Sequence, residues 1–240
     1  MEYYRLEVNS NEIDIVLDTN TRNNIQRGPY QDDFSEVLKT IMTVSFQTKL
    51  SLNETYALTE SIVYDSEEWN NALKGNLCLW NEKCIDSQWI ALLNNVMYYH
   101  YEDCERGIVS TAFDLNREEH KSYIWDYIYE YARLQIIQNS PMHSVKVGRF
   151  DSAYFFKTIN DCEYFKNYNG MNHGIICRVV VLEEYDSFTG DMKILEDLPE
   201  LTSTANDVLL AAGNYWLKKT TNTPIYETLF HGKYKLTPLI

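Results

Sequence analysis

The sequence lacks the short motifs that identify several large enzyme classes. It contains no GxGxxG dinucleotide fingerprint, no GxxxxGK[ST] phosphate loop, no HExxH zinc helix and no GxSxG nucleophile elbow. Its five histidines do not pair at the spacing of metal ligands. The sequence therefore gives no support to a Rossmann-type dehydrogenase, a P-loop NTPase, a zinc protease or an α/β-hydrolase, and we expect no metal site.

Cysteine is sparse and irregularly placed, and long apolar runs are absent. The five cysteines are odd in number and include no CxxC pair, which disfavours a disulfide framework or a zinc ribbon. No stretch approaches 18 apolar residues, so no segment is predicted to cross a membrane. The first residues lack the basic segment and apolar region of a signal peptide. These features predict a cytoplasmic protein.

Positive charge is also scarce, with 21 Lys and Arg against 35 Asp and Glu and a formal net charge of −14. An acidic surface repels phosphate backbones, which argues against a protein that coats nucleic acid. It leaves open an enzyme that touches nucleic acid at one local site. Hydrophobic residues are plentiful at 45%, and a chain of 240 residues is long enough to fold without metal or disulfide staples.

The order of predicted elements is a short strand, a long helical region, and then strands interleaved with helices. Tyr3–Val8 is predicted to be a strand, and residues 32–138 are mostly helical, most clearly at 117–138. The later predictions are a strand at 145–150, a helix from Asp151-Ser152 to about Tyr168, a strand at 173–184, a short strand or turn at 191–195, a helix at 202–219 and a strand at 226–236. This order predicts an α+β fold in one domain spanning 1–240, with a helical insert at about 30–138.

Three short motifs carry a family resemblance. They are the Tyr4-Arg5 strand, the Ala-x-x-Tyr-Trp segment that ends at Tyr215-Trp216, and the closing Glu-x-Leu-x-x-Gly-x-x-Lys segment that begins at Glu227. In them the chain resembles a bacterial family of unassigned function that shares the ADP-ribosyltransferase fold. The resemblance covers the first eight and roughly the last hundred residues. It implies a split β-sheet core, with the helical region inserted after the first strand.

The resemblance also implies that NAD is a substrate and that Glu227 is the catalytic carboxylate. Cleavage of the bond between nicotinamide and ribose passes through an oxocarbenium-like state, which a nearby carboxylate stabilises. Arg5 would hold ribose or pyrophosphate oxygens through its planar, permanently charged fork. The enzyme hypothesis requires these two side chains to meet across one cleft.

Five further residues are implied at the NAD site. Tyr4, Phe150 and Tyr154 are candidates to stack on the cationic nicotinamide ring, and Ser144 would brace the site from a neighbouring strand. His143 stands where the family pattern has an arginine, and a histidine grips phosphate more weakly and only when protonated.

The resemblance implies a mono-ADP-ribosyltransferase whose acceptor is a protein or a nucleic acid. Bacterial and phage relatives act as toxins or defence effectors, so an antitoxin or regulatory partner is implied as well. Two alternatives stay open, which are NAD hydrolysis and a catalytically inert binding or regulatory protein. The acceptor group and the oligomeric state are not predicted.

The same residues also have purely structural interpretations. Glu227 fits a surface carboxylate on an edge strand, and Arg5 fits a solvated strand residue. Tyr215 and Trp216 fit a core between a helix and a sheet, since an indole fills space there. Asp191 fits a turn.

Overall fold

The computed structural model describes residues 2–21, 31–64, 77–80, 82–108, 112–139, 145–197 and 199–239. The described strands are β1 (Tyr3–Glu7), β2 (Val16–Asp18), β3 (Leu77–Trp80), β4 (Lys83–Asp86), β5 (Ala153–Phe156), β6 (Ile175–Asp191) and β7 (Tyr226–Pro238). The described α-helices are α1 (Gln31–Thr48), α2 (Leu52–Tyr64), α3 (Ser87–Glu105), α4 (Glu118–Asn139), α5 (Ile159–Tyr168), α6 (Lys193–Glu196) and α7 (Ala205–Trp216). The mixed α+β class is confirmed.

The chain divides into two compact units. The first unit comprises Met1–Gln26, Tyr129–Leu198 and Ala211–Ile240, and the second comprises Arg27–Ile128 and Pro199–Leu210. The continuous part of the second unit covers most of the predicted helical insert. The expectation of one domain across the whole chain stays a prediction.

The first unit is built around a ring of antiparallel strands. The strand order is β2-β7-β5-β1-β6, and β6 also pairs with β7, so that β7, β5, β1 and β6 form a closed circuit. Two irregularities in β6, between Val181 and Glu183 and between Glu184 and Asp186, interrupt its pairing with β7. Bulges of this kind bend a strand and increase its twist. They allow a strand of 17 residues to curve around the ring.

The two faces of this sheet have different neighbours. The buried members of the apolar cluster on one face all come from strands, so this face is the interior of the ring. The aromatic residues of this cluster are Phe155, Phe230 and Tyr234. Phe155 lies 4.8 Å from Phe230 and 5.0 Å from Tyr234 between ring centres. The opposite face packs against α5, with Phe156 5.1 Å from Phe165.

Near residue 150, one predicted strand is absent and one predicted helix begins later than expected. No strand forms at 145–150, because backbone groups there bond to side chains of α4 instead of to a neighbouring strand. Arg133 donates from Nη1 to the carbonyl of Val145 at 2.9 Å, and the amide of Arg149 donates to the carboxylate of Glu130. The next segment is not the start of a helix, since β5 pairs with β7 and β1. The helix begins only at Ile159.

The start of α5 is fixed by a side-chain cap. Thr158 has an extended backbone, and its hydroxyl oxygen accepts a hydrogen bond from the amide of Asp161 at 3.0 Å. The other strands and helices predicted after residue 141 form close to their expected positions, with β6 longer than expected. The stretch at 191–195, predicted to be a strand or turn, leads into the one-turn helix α6.

The second unit is mainly helical in its described ranges, in agreement with the mostly helical pattern at 32–138, although the sequence makes no clear prediction between Leu58 and Ser110. In it α1, α2 and α3 pack against one another, and β3 pairs with β4 as a hairpin. The entry to α2 is a capping box, in which the amide of Ser51 donates to Glu54 at 2.7 Å and the amide of Glu54 donates to the Ser51 hydroxyl at 3.0 Å. None of the helices in the described ranges is long and apolar enough to span a membrane.

Candidate functional site

Strand register decides which predicted site residues share a face of the sheet. Glu227 on β7 lies opposite Phe156 on β5, and Phe156 lies opposite Tyr4 on β1. Because directly opposed residues project to the same face, Tyr4 and Glu227 belong to the face that packs against α5. Arg5 is the next residue along β1 and therefore projects to the other face, with Cys177 as its opposite neighbour.

The predicted meeting of Arg5 and Glu227 does not occur. Arg5 donates from Nε to a carboxylate oxygen of Glu7 at 3.2 Å, and its guanidinium carbon lies 5.8 Å from the centre of the Tyr234 ring. Both contacts keep it on the interior face of the ring of strands. The sheet itself separates Arg5 from Glu227, because the side-chain period of a strand is two.

The arginine that meets Glu227 is Arg149. Its Nη1 forms a salt bridge with Oε1 of Glu227, and the phenol of Tyr215 donates to the same oxygen at 2.6 Å. Glu227 is 1% exposed and Tyr215 is fully buried. Burial, and secondarily the charge of Glu227, raises the pKa of Tyr215 well above its ordinary value, so this phenol stays a hydrogen-bond donor.

Arg149 is held on several sides. Its amide donates to Glu130, which Arg133 also pairs with through Nε at 2.8 Å, and its carbonyl accepts from the phenol of Tyr154 at 3.1 Å. The guanidinium carbon lies 5.3, 5.0 and 5.6 Å from the ring centres of Tyr129, Tyr154 and Tyr215. Ion pair and ring faces together fix the guanidinium, which in turn fixes one oxygen of Glu227.

Glu227 and Arg149 line a cleft of about 150 Å³ in the first unit. Its aromatic side chains are Tyr129, Phe165 and Tyr168, and its second carboxylate is Glu196. Ligand pockets for drug-sized molecules span roughly 300–1,000 Å³, whereas a cavity of about 150 Å³ accommodates a benzene ring. The cleft thus has room for one ring-sized group and not for a whole dinucleotide.

The remaining predicted residues are placed as follows. Tyr154 contributes to the site through Arg149, and Tyr4 packs in the cluster on the same face without lining the cleft. Phe150 follows Arg149 in a turn and does not line the cleft either. His143 and Ser144 lie outside the described residues. In the described part of the chain, no group of three or more His, Cys, Asp or Glu side chains could hold a metal ion.

Sequence reasoning missed Arg149, although its neighbour gives a local signal. A Cβ added at Gly148 would lie 3.0 Å from a carboxylate oxygen of Glu130, so the glycine allows the backbone to approach this buried acid. The core interpretation of Trp216 holds, because it is 1% exposed and its indole donates to the carbonyl of Tyr129 at 2.7 Å. Tyr215 is both a core residue and a direct partner of Glu227.

Asp191 is a buried carboxylate that shapes the approach to β7. It is fully buried, and it accepts hydrogen bonds from the amides of Lys193 at 3.1 Å and Ile225 at 3.0 Å. It also accepts from both the amide and the hydroxyl of Thr221, at 2.7 and 2.8 Å. Asp191 therefore ties the end of β6 to the loop that delivers Glu227, which extends the turn interpretation of this residue.

Comparison of the sequence with known protein families and with curated proteins finds no match in either.

Proposed function

We propose that the protein is an NAD-dependent mono-ADP-ribosyltransferase that modifies a macromolecular acceptor, with Glu227 as the catalytic carboxylate. One observation carries the proposal. Arg149 and Tyr215 both bind Oε1 of Glu227, whereas no described residue donates a hydrogen bond to Oε2. Because Glu227 also lines the cleft, its second oxygen is the part of the carboxylate that a ligand can engage.

The arrangement suits stabilisation of a developing positive charge. In the transfer reaction the bond between ribose C1′ and the nicotinamide nitrogen breaks, and its electron pair leaves with nicotinamide. The acceptor then bonds to C1′ and releases its proton to solvent. Oε2 of Glu227 would accept a hydrogen bond from a ribose hydroxyl and stabilise the charge on the ring, while Arg149 and Tyr215 prevent the carboxylate from turning away.

The aromatic walls suit the ring end of NAD. Tyr129, Phe165 and Tyr168 line the cleft, and its volume matches one six-membered ring. In this proposal the rest of the dinucleotide extends beyond the cleft. Arg5 does not meet Glu227, so the enzyme hypothesis no longer rests on that pair. Arg149 takes the place of Arg5 beside Glu227, but it orients the carboxylate and does not grip phosphate.

The remaining parts of the proposal follow the family resemblance. The ring of β1, β5, β6 and β7, with its interrupted pairing along β6, is taken as the ADP-ribosyltransferase-like split sheet. The acidic composition favours a protein or otherwise basic acceptor over the phosphate backbone of nucleic acid. A cytoplasmic toxin or defence effector, controlled by an antitoxin or another regulatory partner, is the biological role proposed.

Labelled NAD tests the proposal directly. Wild-type protein is incubated with labelled NAD and a whole-cell lysate, and the product is then digested separately with protease and nuclease. We expect label on a macromolecule, and the digestion that removes it identifies the acceptor class. Free ADP-ribose alone would indicate the hydrolase alternative, and no consumption of NAD would contradict both enzymatic proposals.

Two variants connect the activity to the site. Glu227→Gln is expected to abolish transfer, whereas Glu184→Gln, at an exposed carboxylate of β6, is expected to leave it unchanged. Circular dichroism of each variant shows whether it is folded. A folded Glu227→Gln protein with wild-type transfer would refute the catalytic assignment.

A non-catalytic binding protein is the second candidate, and one observation favours it. Glu227 is almost fully buried and its charge is already neutralised by Arg149, as in a structural ion pair. In that case the protein would bind NAD or a fragment of it without consuming it. Calorimetric titration with NAD, together with the consumption assay, separates this candidate from the enzyme.

A further inference from the structure

We propose that Glu196 makes the cleft selective for a planar, single-ring group that carries N–H donors and positive charge, such as an amidinium. The inference rests on the proposed function in one respect, since both place a ligand in this cleft. It adds a residue, Glu196, that the family resemblance does not include, and a physical reason for the cleft to select the charge of its ligand.

Only one of the two carboxylate oxygens of Glu196 has partners among the described residues. Its Oε2 accepts a hydrogen bond from the phenol of Tyr164 at 2.7 Å and lies 3.8 Å from Nζ of Lys193. Its Oε1 is buried and has no hydrogen-bond partner among the described residues. Buried acceptors without a donor are rare in folded proteins because they lose their bonds to water, and they call for a specific explanation.

A ligand in the cleft explains the unpartnered oxygen. Glu196 and Glu227 both line the cleft, and each has one oxygen, Oε1 and Oε2 respectively, that accepts no hydrogen bond from a described residue. Phe165 and Tyr168 are aromatic residues that line the same cleft. A flat group that donates N–H bonds from its edge satisfies both acceptors while its faces lie against the aromatic rings.

The cations nearby are already engaged. Arg149 is paired with Glu227, and Nζ of Lys193 lies 4.6 Å above the Tyr164 ring and on the Oε2 side of Glu196. The side-chain amide of Asn169 donates to the carbonyl of Phe165 at 2.9 Å. The charged residues that line the cleft are one guanidinium, Arg149, and two carboxylates, Glu196 and Glu227, so its lining is net negative and disfavours an anionic ring.

Three probes of equal size and different charge test this. Benzamidine is a cationic donor, benzamide is a neutral donor and benzoate is an anion without N–H groups. Isothermal titration of the full-length protein is expected to give the order benzamidine, then benzamide, with no binding of benzoate. Equal affinity for benzoate and benzamidine would overturn the proposal.

Variants assign the selectivity to Glu196. Glu196→Gln keeps an acceptor for Tyr164 but loses the charge, and it is expected to weaken benzamidine roughly 10- to 100-fold while allowing benzoate to bind. Glu163→Gln, at an exposed carboxylate of α5, serves as the control and is expected to bind like wild type. Unchanged probe affinities in a folded Glu196→Gln protein would refute the role of Glu196.

A further variant separates charge from shape. Tyr168→Ala removes one aromatic face of the cleft and is expected to weaken benzamidine and benzamide by similar factors, leaving their ratio intact. A changed ratio would contradict the assignment of selectivity to the carboxylate. NAD consumption is measured separately. Selective probe binding without NAD turnover would refute the proposed enzyme and leave this inference standing. NAD turnover with equal affinity for all three probes would refute this inference and leave the enzyme standing.

Discussion

Replacing Glu227 by glutamine removes one charge from the floor of the cleft and changes little else in size. The amide oxygen of glutamine still accepts a hydrogen bond, so the bond from the Tyr215 phenol survives in the variant. The ion pair with Arg149 does not survive. Arg149 is then left as a nearly buried cation, with a side chain that is 11% exposed.

The expected cost follows from that burial. Removing one partner of a buried ion pair destabilises a protein by about 3–5 kcal/mol, because the remaining charge stays desolvated without compensation. Three tyrosine rings lie within 5.6 Å of the guanidinium carbon and retain part of its stabilisation. We therefore expect Glu227→Gln to lower the free energy of unfolding by about 3 kcal/mol, the lower end of that range.

Urea denaturation followed by circular dichroism measures this cost. Arg149→Met and the double variant complete a thermodynamic cycle, and the double variant is expected to cost less than the two single changes together. Glu183→Gln is the matched control, because Glu183 pairs with Lys233 at 2.7 Å between side chains that are 53% and 41% exposed. An exposed pair of this kind contributes little, and the control should unfold like wild type.

The result that would refute this reasoning is specific. A Glu227→Gln variant that loses less than about 1 kcal/mol, in an additive cycle, would mean that the two charges are not coupled. The carboxylate would then be free to turn, and the argument that Arg149 presents its second oxygen to the cleft would fail with it.

Two further variants and one labelling experiment have defined outcomes. Gly190→Ala places a Cβ 2.5 Å from a ring carbon of Tyr215, so we expect urea denaturation to show a loss of about 1–3 kcal/mol in the free energy of unfolding. Tyr215→Phe keeps that ring carbon, so adding it to Gly190→Ala should restore stability only if the ring moves. Asp191→Ala removes an acceptor of four hydrogen bonds, and thermal denaturation should show a larger loss than for Thr221→Val, which removes one of them. Burial raises the pKa of the Cys162 thiol to about 12, so iodoacetamide at pH 8 should label the exposed Cys84 and spare Cys162 until the protein unfolds, as peptide mass spectrometry can show.

The sequence predicted the long strands and the main helices because their patterns are strong. The β-branched run in β6 favours a strand by its composition, and the apolar stripe in α4 repeats at the period of a helix. The segment at 145–156 was mispredicted because its local signals conflict. Asp151-Ser152 resembles a helix cap, but the following Ala-Tyr-Phe-Phe pairs with β7, and Thr158 provides the cap instead.

The candidate site was predictable only in part. Glu227 stands in a recognisable motif, and the structure places it in a cleft. The prediction that Arg5 is the partner of Glu227 is wrong. Tyr4 and Arg5 are adjacent in β1, and a difference of one residue decides which face of the sheet a side chain projects from. Arg149 is 78 residues away from Glu227 in the chain, so no local spacing joins them. Only the tertiary fold brings them together.

The two interpretations of Glu227, catalytic and structural, need not compete, because its two oxygens differ. A carboxylate that must stabilise a transient positive charge is most effective when it is already oriented, since reorientation during the reaction would offset the gain. Arg149 and Tyr215 hold Oε1, so the carboxylate is oriented by side chains of the protein itself. Oε1 of Glu227 is paired with Arg149, whereas Oε1 of Glu196 has no partner among the described residues, so Glu196 is the carboxylate that we assign to attract a cationic ring. Catalysis at this cleft would therefore depend on a division of labour, with Glu227 positioned at the sugar and Glu196 at the ring.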